Sequence, residues 1–502
     1  MKAAITLSAL LLLGLPTLQA QFLPILPGPN QQIIRQAQAS RPDQSAAAAT
    51  IQEALDSTFD AVTDISPVIG FNAAMLLPDG TVWKRARGLS EELPVEQPLT
   101  TEHLMGMGSI SKSFVSVALL LLSEDTTYNL DLGDSIGKYL DPYANIDGSA
   151  TIRQLLSHRT GYNDYINENP AMAQDWLLNP DSLWDADTIL THYVLAPNFP
   201  VDSAWSYSNT NYLLAGRILE KVTGKPWHVV VREQVIDPLG LTQTFAFPWE
   251  TPGSQPFSHV WADFDGNGTV EDIQGLELSL EGLFSLAGSA GCLISTPEDL
   301  VRFSERVYGG HLLKPATLAE MQTDYISDPA ASTLYGLGTL AINIPGFPDN
   351  WGHDGSLLYN SIASYFPEQE MALAVQQNDA RTAFPGANNI TYIQVYLSLL
   401  QTYLTFIPTA TTDPGLHNET VQVFPNPAVD VLQLRLHDAA AVSLPALCHL
   451  TDVHGRVVLS QRLYSTQTAL QVGGLPEGVY RLMVTGNGGA QTPVVRSVVV
   501  VR

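Results

Sequence analysis

Residues 114–122 form an almost unbroken apolar run, Phe114-Val115-Ser116-Val117-Ala118-Leu119-Leu120-Leu121-Leu122. With its flanks the run is longer than a core strand and reads as a buried helix. An amphipathic helical pattern covers residues 46–62, and helical patterns dominate residues 109–240, among them Ile152-Arg153-Gln154-Leu155-Leu156-Ser157-His158 and Tyr212-Leu213-Leu214-Ala215-Gly216-Arg217-Ile218-Leu219. Strand patterns flank this middle. Residues 70–77 and 81–88 are joined by Pro78-Asp79-Gly80, a hairpin turn signal. Strands return near residues 335–345, 361–365 and 371–376, and a last helix is expected over about residues 390–404. A sheet with flanking helices and a helical insertion is an α+β or α/β arrangement.

The pattern changes after Pro408. Residues 409–417 are polar, and then short strands recur with turn signals between them, at residues 421–424, 431–436, 456–459, 478–484 and 494–501. No helical period appears there, which predicts an all-β sandwich. The N-terminus differs again. Lys2, the apolar residues 3–15 and Leu18-Gln19-Ala20 have the layout of a secretory signal peptide, and the Pro/Gln/Asn-rich stretch after it reads as a flexible leader. The expected organisation is a signal at 1–20, a leader at 21–45, a catalytic domain at 46–405, a linker at 406–418 and a β-sandwich at 419–502.

Composition narrows the partners. The 502 residues are 45% hydrophobic and 15% charged, ordinary for a globular chain, but the formal net charge is -26. Such a surplus cannot neutralise phosphates, which excludes nucleic acid, and it disfavours anionic membrane surfaces. It suits solubility outside a cell. After the signal no segment reaches about 18 apolar residues, so no transmembrane helix is expected. Cys292 and Cys448, 156 residues apart, form no C-x-x-C or Cys/His cluster, and no zinc site is expected.

Candidate chemistry begins where the apolar helix begins, at Ser109-Ile110-Ser111-Lys112. Residues three apart share a helix face, so Lys112 would stand beside the Ser109 hydroxyl as its base. Ser135-Ile136-Gly137-Lys138 repeats the spacing without an apolar run to anchor a helix. Tyr207-Ser208-Asn209 precedes the next apolar helix and so sits on a loop, where a Tyr hydroxyl can shuttle a proton and an Asn amide can bind nucleophile and substrate. Tyr143-Ala144-Asn145 and Tyr165-Ile166-Asn167 share its spacing. His353-Asp354-Gly355, followed by Ser356, is the one H-x-G and precedes a strand, where the Gly would let substrate approach the backbone.

In this order the three motifs resemble the serine β-lactamase and penicillin-binding-protein family, in a Y-x-N and H-x-G variant similar to class C β-lactamases and, more closely, to the related D,D-peptidases and esterases. Residues 151–162, with Leu155-Leu156-Ser157-His158, and Gly288-Ser289-Ala290-Gly291 with Ser295-Thr296-Pro297 are similar to further segments of that family. The resemblance implies a β-lactamase/transpeptidase-like fold, an antiparallel sheet with flanking helices and a helical subdomain. It also implies roles: Ser109 nucleophile, Lys112 its proton acceptor, Tyr207 proton carrier, Asn209 holding the substrate amide, and His353 and Gly355 lining the substrate strand. The backbone N–H groups of Ser109 and Ser356 would form the oxyanion hole. Expected substrates are small peptides, β-lactams or esters, with no cofactor required. Asp354 stands where the family carries a hydroxyl, and a carboxylate there would repel a substrate carboxylate. That favours peptidase, amidase or esterase activity over an efficient β-lactamase. A non-catalytic peptidoglycan- or β-lactam-binding surface protein is the alternative.

Two further signals remain. Asp263, Asp265 and Asn267, with Gly268 following, resemble the start of a Ca²⁺-binding loop, although Gln274 replaces the closing Glu. Val423-Phe424-Pro425-Asn426-Pro427 with residues 452–458 and 475–482 is similar to a type A sorting domain of the type IX secretion system. That resemblance implies that the secretion machinery is a partner and that the protein is secreted or displayed at the surface of a Gram-negative cell.

Overall fold

The computed structural model describes residues 50–92, 95–263, 269–275, 279–327, 331–343, 347–381, 391–406, 421–424, 430–436, 446–451, 457–476, 478–485 and 494–500. The expected signal peptide and leader, and the linker after Phe406, lie outside the described residues. The chain divides into two compact units, one ending at Phe406 and one holding the strands from Val421 onward.

The first unit is built on an antiparallel sheet of eight strands. They are β1 (Gly70–Leu76), β2 (Val82–Glu91), β3 (Gln97–Pro98), β4 (Thr333–Tyr335), β5 (Leu340–Ile342), β6 (Trp351–Leu357), β7 (Tyr359–Phe366) and β8 (Met371–Gln377), in the spatial order β3-β2-β1-β8-β7-β6-β5-β4. The predicted hairpin is present: Gly70 pairs with Gly88 and Leu76 with Val82, and Gly80 turns the chain between them with φ +84°. Every residue of β1 and β8 is buried, because both faces are covered. Alternation then decides what each face meets. Ala74, Ala363, Ala372 and Ala374 point into the main core with Phe114 and Leu300. On the opposite face Phe366 meets Tyr396 of the last helix, ring centres 6.5 Å apart.

The described residues of this unit include five longer helices, α1 (Ile51–Asp64), α2 (Ser111–Glu124), α3 (Thr210–Thr223), α4 (Pro297–Tyr308) and α5 (Tyr392–Phe406), of which α1, α4 and α5 pack on the sheet. The expected helix at 46–62 is described from Ile51, because Thr50 accepts from the Glu53 N–H while Glu53 accepts from the Thr50 N–H, a reciprocal cap. The apolar run becomes α2, in which Phe114 to Leu120 are all buried, and Phe114 stacks on Phe303 of α4 with ring centres 3.8 Å apart.

The second unit has two antiparallel sheets. One holds Val421–Phe424, Val431–Leu436 and Gln467–Gln471, and the other Val457–Leu463, Ala446–Thr451, Gly478–Thr485 and Val494–Val500. Leu432 and Leu434 of the first join Leu450, Leu482 and Val484 of the second in one buried cluster, as a sandwich requires. Cys292 and Cys448 are both buried free thiols. Among the described residues no helix is long and apolar enough to cross a membrane.

Candidate active site

Ser109 lies in a short 3-10 turn, Gly108–Ile110, that feeds directly into α2. The predicted proximity of Ser109 and Lys112 is present, with the serine in that turn one step ahead of the helix. Lys112 is fully buried, and its Nζ donates to Ser109 Oγ at 2.9 Å, Asn209 Oδ1 at 2.8 Å and the Ala290 carbonyl at 2.7 Å. Tyr207 Oη donates to Ser109 Oγ at 2.7 Å, and the ammonium lies 4.9 Å from the Tyr207 ring centre. Burial lowers the Lys112 pKa to about 7, against the opposing charges of Asp164 and Asp354. Burial drives the Tyr207 phenol well above its ordinary value, and the hydrogen bond to Ser109 only partly offsets it.

The other motifs of matching spacing do other work. Lys138 is half-exposed and paired with Asp134 at 2.7 Å. Tyr143 donates to Asp187 and Tyr165 to the Leu286 carbonyl.

Strand β6 passes beside the serine turn. A Cβ built on Gly355 would lie 2.0 Å from the Met107 carbonyl and 2.7 Å from Ser109 N; one built on Gly108, whose φ is +50°, would lie 2.6 Å from Ser356 N. The glycine admits the turn that carries Ser109 to the strand backbone. It also brings the Ser109 and Ser356 backbone nitrogens to one junction.

The His353 imidazole is buried and sits in a hydrogen-bonded chain. The proton positions follow from one fixed donor. The Ser208 N–H donates to His158 Nδ1 at 3.2 Å, so that nitrogen is bare and Nε2 carries the proton. His158 Nε2–H therefore donates to Tyr335 Oη at 3.0 Å, Tyr335 donates to His353 Nε2 at 3.1 Å, and His353 Nδ1–H donates to the Asp354 carbonyl at 2.5 Å. Burial keeps both rings neutral, lowering His353 to about 3 and His158 well below its ordinary value. The His158 ring centre is 4.3 Å from that of Tyr207, so this chain backs the loop bearing Tyr207 and ties it to β6.

Asn209 is engaged at both ends: Oδ1 accepts from Lys112, and Nδ2 donates to Asp164 Oδ2 at 2.9 Å. It holds the lysine. Asp354 is 8% exposed and its charge acts on Lys112 and Tyr207. Sequence reasoning missed Asp164, Tyr335 and the Ala290 carbonyl. A lone acid inside Tyr162-Asn163-Asp164-Tyr165-Ile166 was a signal for the first; the other two had none. Ser289, part of an elbow-like Ala287–Gly291 stretch, spends its hydroxyl on the Tyr212 carbonyl at 2.7 Å.

Of the candidate Ca²⁺ ligands, Asp265 and Asn267 lie outside the described residues and Asp263 within them. Gln274, in the closing position, accepts from the Val260 N–H at 3.0 Å. Among the described residues no cluster of three His, Cys, Asp or Glu could hold a metal.

Comparison with known proteins gives the following. The β-lactamase family model matches residues 55–398, and the secretion system C-terminal sorting domain model matches residues 422–500. A putative penicillin-binding protein PbpX from Bacillus subtilis (strain 168) is 26% identical over 57% of this chain and 65% of its own, so the match spans just under two thirds of that relative. A D-stereospecific amidohydrolase from Streptomyces sp. superposes with TM-score 0.58 and 28% identity over 68% of this chain and 97% of its own. A D-amino acid amidase from Ochrobactrum anthropi SV3, complexed with L-phenylalanine amide, superposes with TM-score 0.60 and 26% identity over 71% and 99%.

Proposed function

The chain belongs to the β-lactamase family, and we propose that it is an exported serine hydrolase that cleaves amide or ester bonds through an acyl-Ser109 intermediate. One observation carries this reading: Lys112 Nζ at 2.9 Å and Tyr207 Oη at 2.7 Å both converge on Ser109 Oγ. With its pKa lowered to about 7, Lys112 has a substantial neutral fraction at neutral pH and can take the serine proton. Ser109 Oγ then attacks the substrate carbonyl. The resulting oxyanion faces the N–H groups of Ser109 and Ser356 at the junction of turn and strand. Tyr207, neutral at all relevant pH, relays the proton to the departing amine or alkoxide as the C–N or C–O bond breaks. Water, deprotonated by the same groups, releases the acid and restores Ser109.

The favoured substrates are amides, short peptides or esters that are neutral or carry an amine. Asp354 beside the site and a net charge of -26 oppose a substrate carboxylate. The domain boundaries expected above are part of this proposal, with the sorting domain directing type IX export across the outer membrane. A panel of D-amino-acid amides, esters, D-peptides and β-lactams tests the substrate class. A kcat/KM that favours carboxylate-bearing substrates over their esters contradicts it.

A further inference from the structure

We infer that Asp164 is the positioning residue that aims the lone pair of Lys112 at Ser109, by holding the Asn209 amide in one of its two flips. This rests on the acyl-serine reading and specifies how its base is prepared. A neutral lysine amine has two N–H groups and one lone pair, arranged tetrahedrally around nitrogen with Cε. Lys112 Nζ faces three oxygens, those of Ala290, Asn209 and Ser109. The Ala290 carbonyl and Asn209 Oδ1 only accept, so each takes an N–H. In the protonated amine the third N–H goes to Ser109 Oγ; in the neutral amine that direction is left for the lone pair, which is the geometry of a base ready to receive the serine proton.

The result depends on which end of Asn209 faces the lysine. If the amide flipped, Nδ2–H would point at Nζ and take the lone pair. Only N–H groups would then face Ser109, and its proton could not be accepted. Side-chain amides flip at little cost unless their neighbours distinguish O from N. Asp164 makes that distinction. Its carboxylate accepts from three backbone N–H groups, those of Ile166, Asn167 and Asn209, at 3.0, 3.2 and 3.1 Å. It also accepts from Asn167 Nδ2 at 2.8 Å and from Asn209 Nδ2 at 3.2 and 2.9 Å. Burial raises the Asp164 pKa and the hydrogen bonds from Asn209 and Asn167 oppose that rise; every partner is a donor, which suits the ionised form, and Asn209 Oδ1 turned toward it would meet a buried anion.

Asp164 has a second effect on the same amine. The charged and titratable groups around Lys112 are Asp164 and Asp354, which favour its protonated form, the neutral His158 and His353, and the phenols Tyr207 and Tyr212. Removing the Asp164 charge therefore lowers the pH at which Lys112 becomes a free base. Removing one donor to Asp164 does the opposite while the carboxylate stays ionised, because less of its charge is then compensated and its pull on the Lys112 proton strengthens.

The test is the rate of fluorophosphonate labelling at Ser109 as a function of pH, in the full chain, for wild type, Asp164→Asn and Asn167→Ala, with folding checked by circular dichroism. Asp164→Asn should label about 10- to 100-fold more slowly at its optimum, with the acid limb moved to lower pH. Asn167→Ala should move the acid limb to higher pH, and it decides the matter if Asp164→Asn does not fold. Wild type labelled at Ser109 with unshifted limbs in the folded variants overturns the positioning role alone. Slower labelling by the same factor at every pH overturns it as well. A wild type that takes no label overturns the hydrolase reading together with it.

Discussion

Gly355→Ala places a methyl group where the structure has no room for one. Its Cβ would stand 2.0 Å from the Met107 carbonyl oxygen and 2.7 Å from Ser109 N. Both obstructing atoms are backbone, so no side chain can swing aside. The turn and the strand must separate by about 1.4 Å or more to restore van der Waals contact. Overpacking of this kind costs about 1–3 kcal/mol of stability. The consequence for chemistry is larger in proportion. Displacing Ser109 Oγ by about 1 Å breaks its contacts with Lys112 and Tyr207, and misplacement of that size costs roughly 100-fold in rate. Gly352→Ala is the matched control. Its Cβ would stand 2.0 Å from the Ala363 carbonyl on the same strand pair, away from the serine turn. The assay pairs urea denaturation with the fluorophosphonate labelling rate. Both variants should lose comparable stability, and only Gly355→Ala should lose labelling about 100-fold. Wild-type labelling by a folded Gly355→Ala protein refutes the argument that the glycine seats the serine turn.

Further outcomes follow from the buried groups. Because only neutral Lys112 accepts a proton, acylation should rise with pH through about 7 and level off above it, as a pH–rate profile would record. The folded-state pKa of Lys112 lies below its unfolded value of 10.5, so the unfolded chain binds more protons between pH 7 and 10. Wild type should therefore gain about 1 kcal/mol per pH unit over Lys112→Met between pH 7 and 9, and parallel stability curves for the two would contradict this. Tyr335→Phe strips a partner from both His158 Nε2 and His353 Nε2 and should cost about 2 kcal/mol or more, read from the urea midpoint at constant slope.

Much of this site was legible because its signals are local. The apolar run gave α2 its buried faces, and helical spacing then brought Ser109 and Lys112 together. The lone Gly of H-x-G marked a close approach, yet sequence could not say what approaches. The answer, the Met107–Ser109 turn, lies some 250 positions earlier in the chain. The partner of His353 was not legible because strand alternation assigns a face only once the register is known, and Tyr335 sits on β4, separated from β6 by β5. Asp164 escaped notice because its value lies in five donors gathered from two loops, a property with no periodicity. The Ala290 carbonyl could not be read at all, since every residue has one.

The most direct test of the central claim is mass spectrometry of the intact protein and its peptides after reaction with a fluorophosphonate and, separately, a labelled penicillin. The account predicts one covalent adduct at Ser109, lost in Ser109→Ala and strongly slowed in Lys112→Met. Absence of an adduct with both reagents, or an adduct that survives Ser109→Ala, would contradict it.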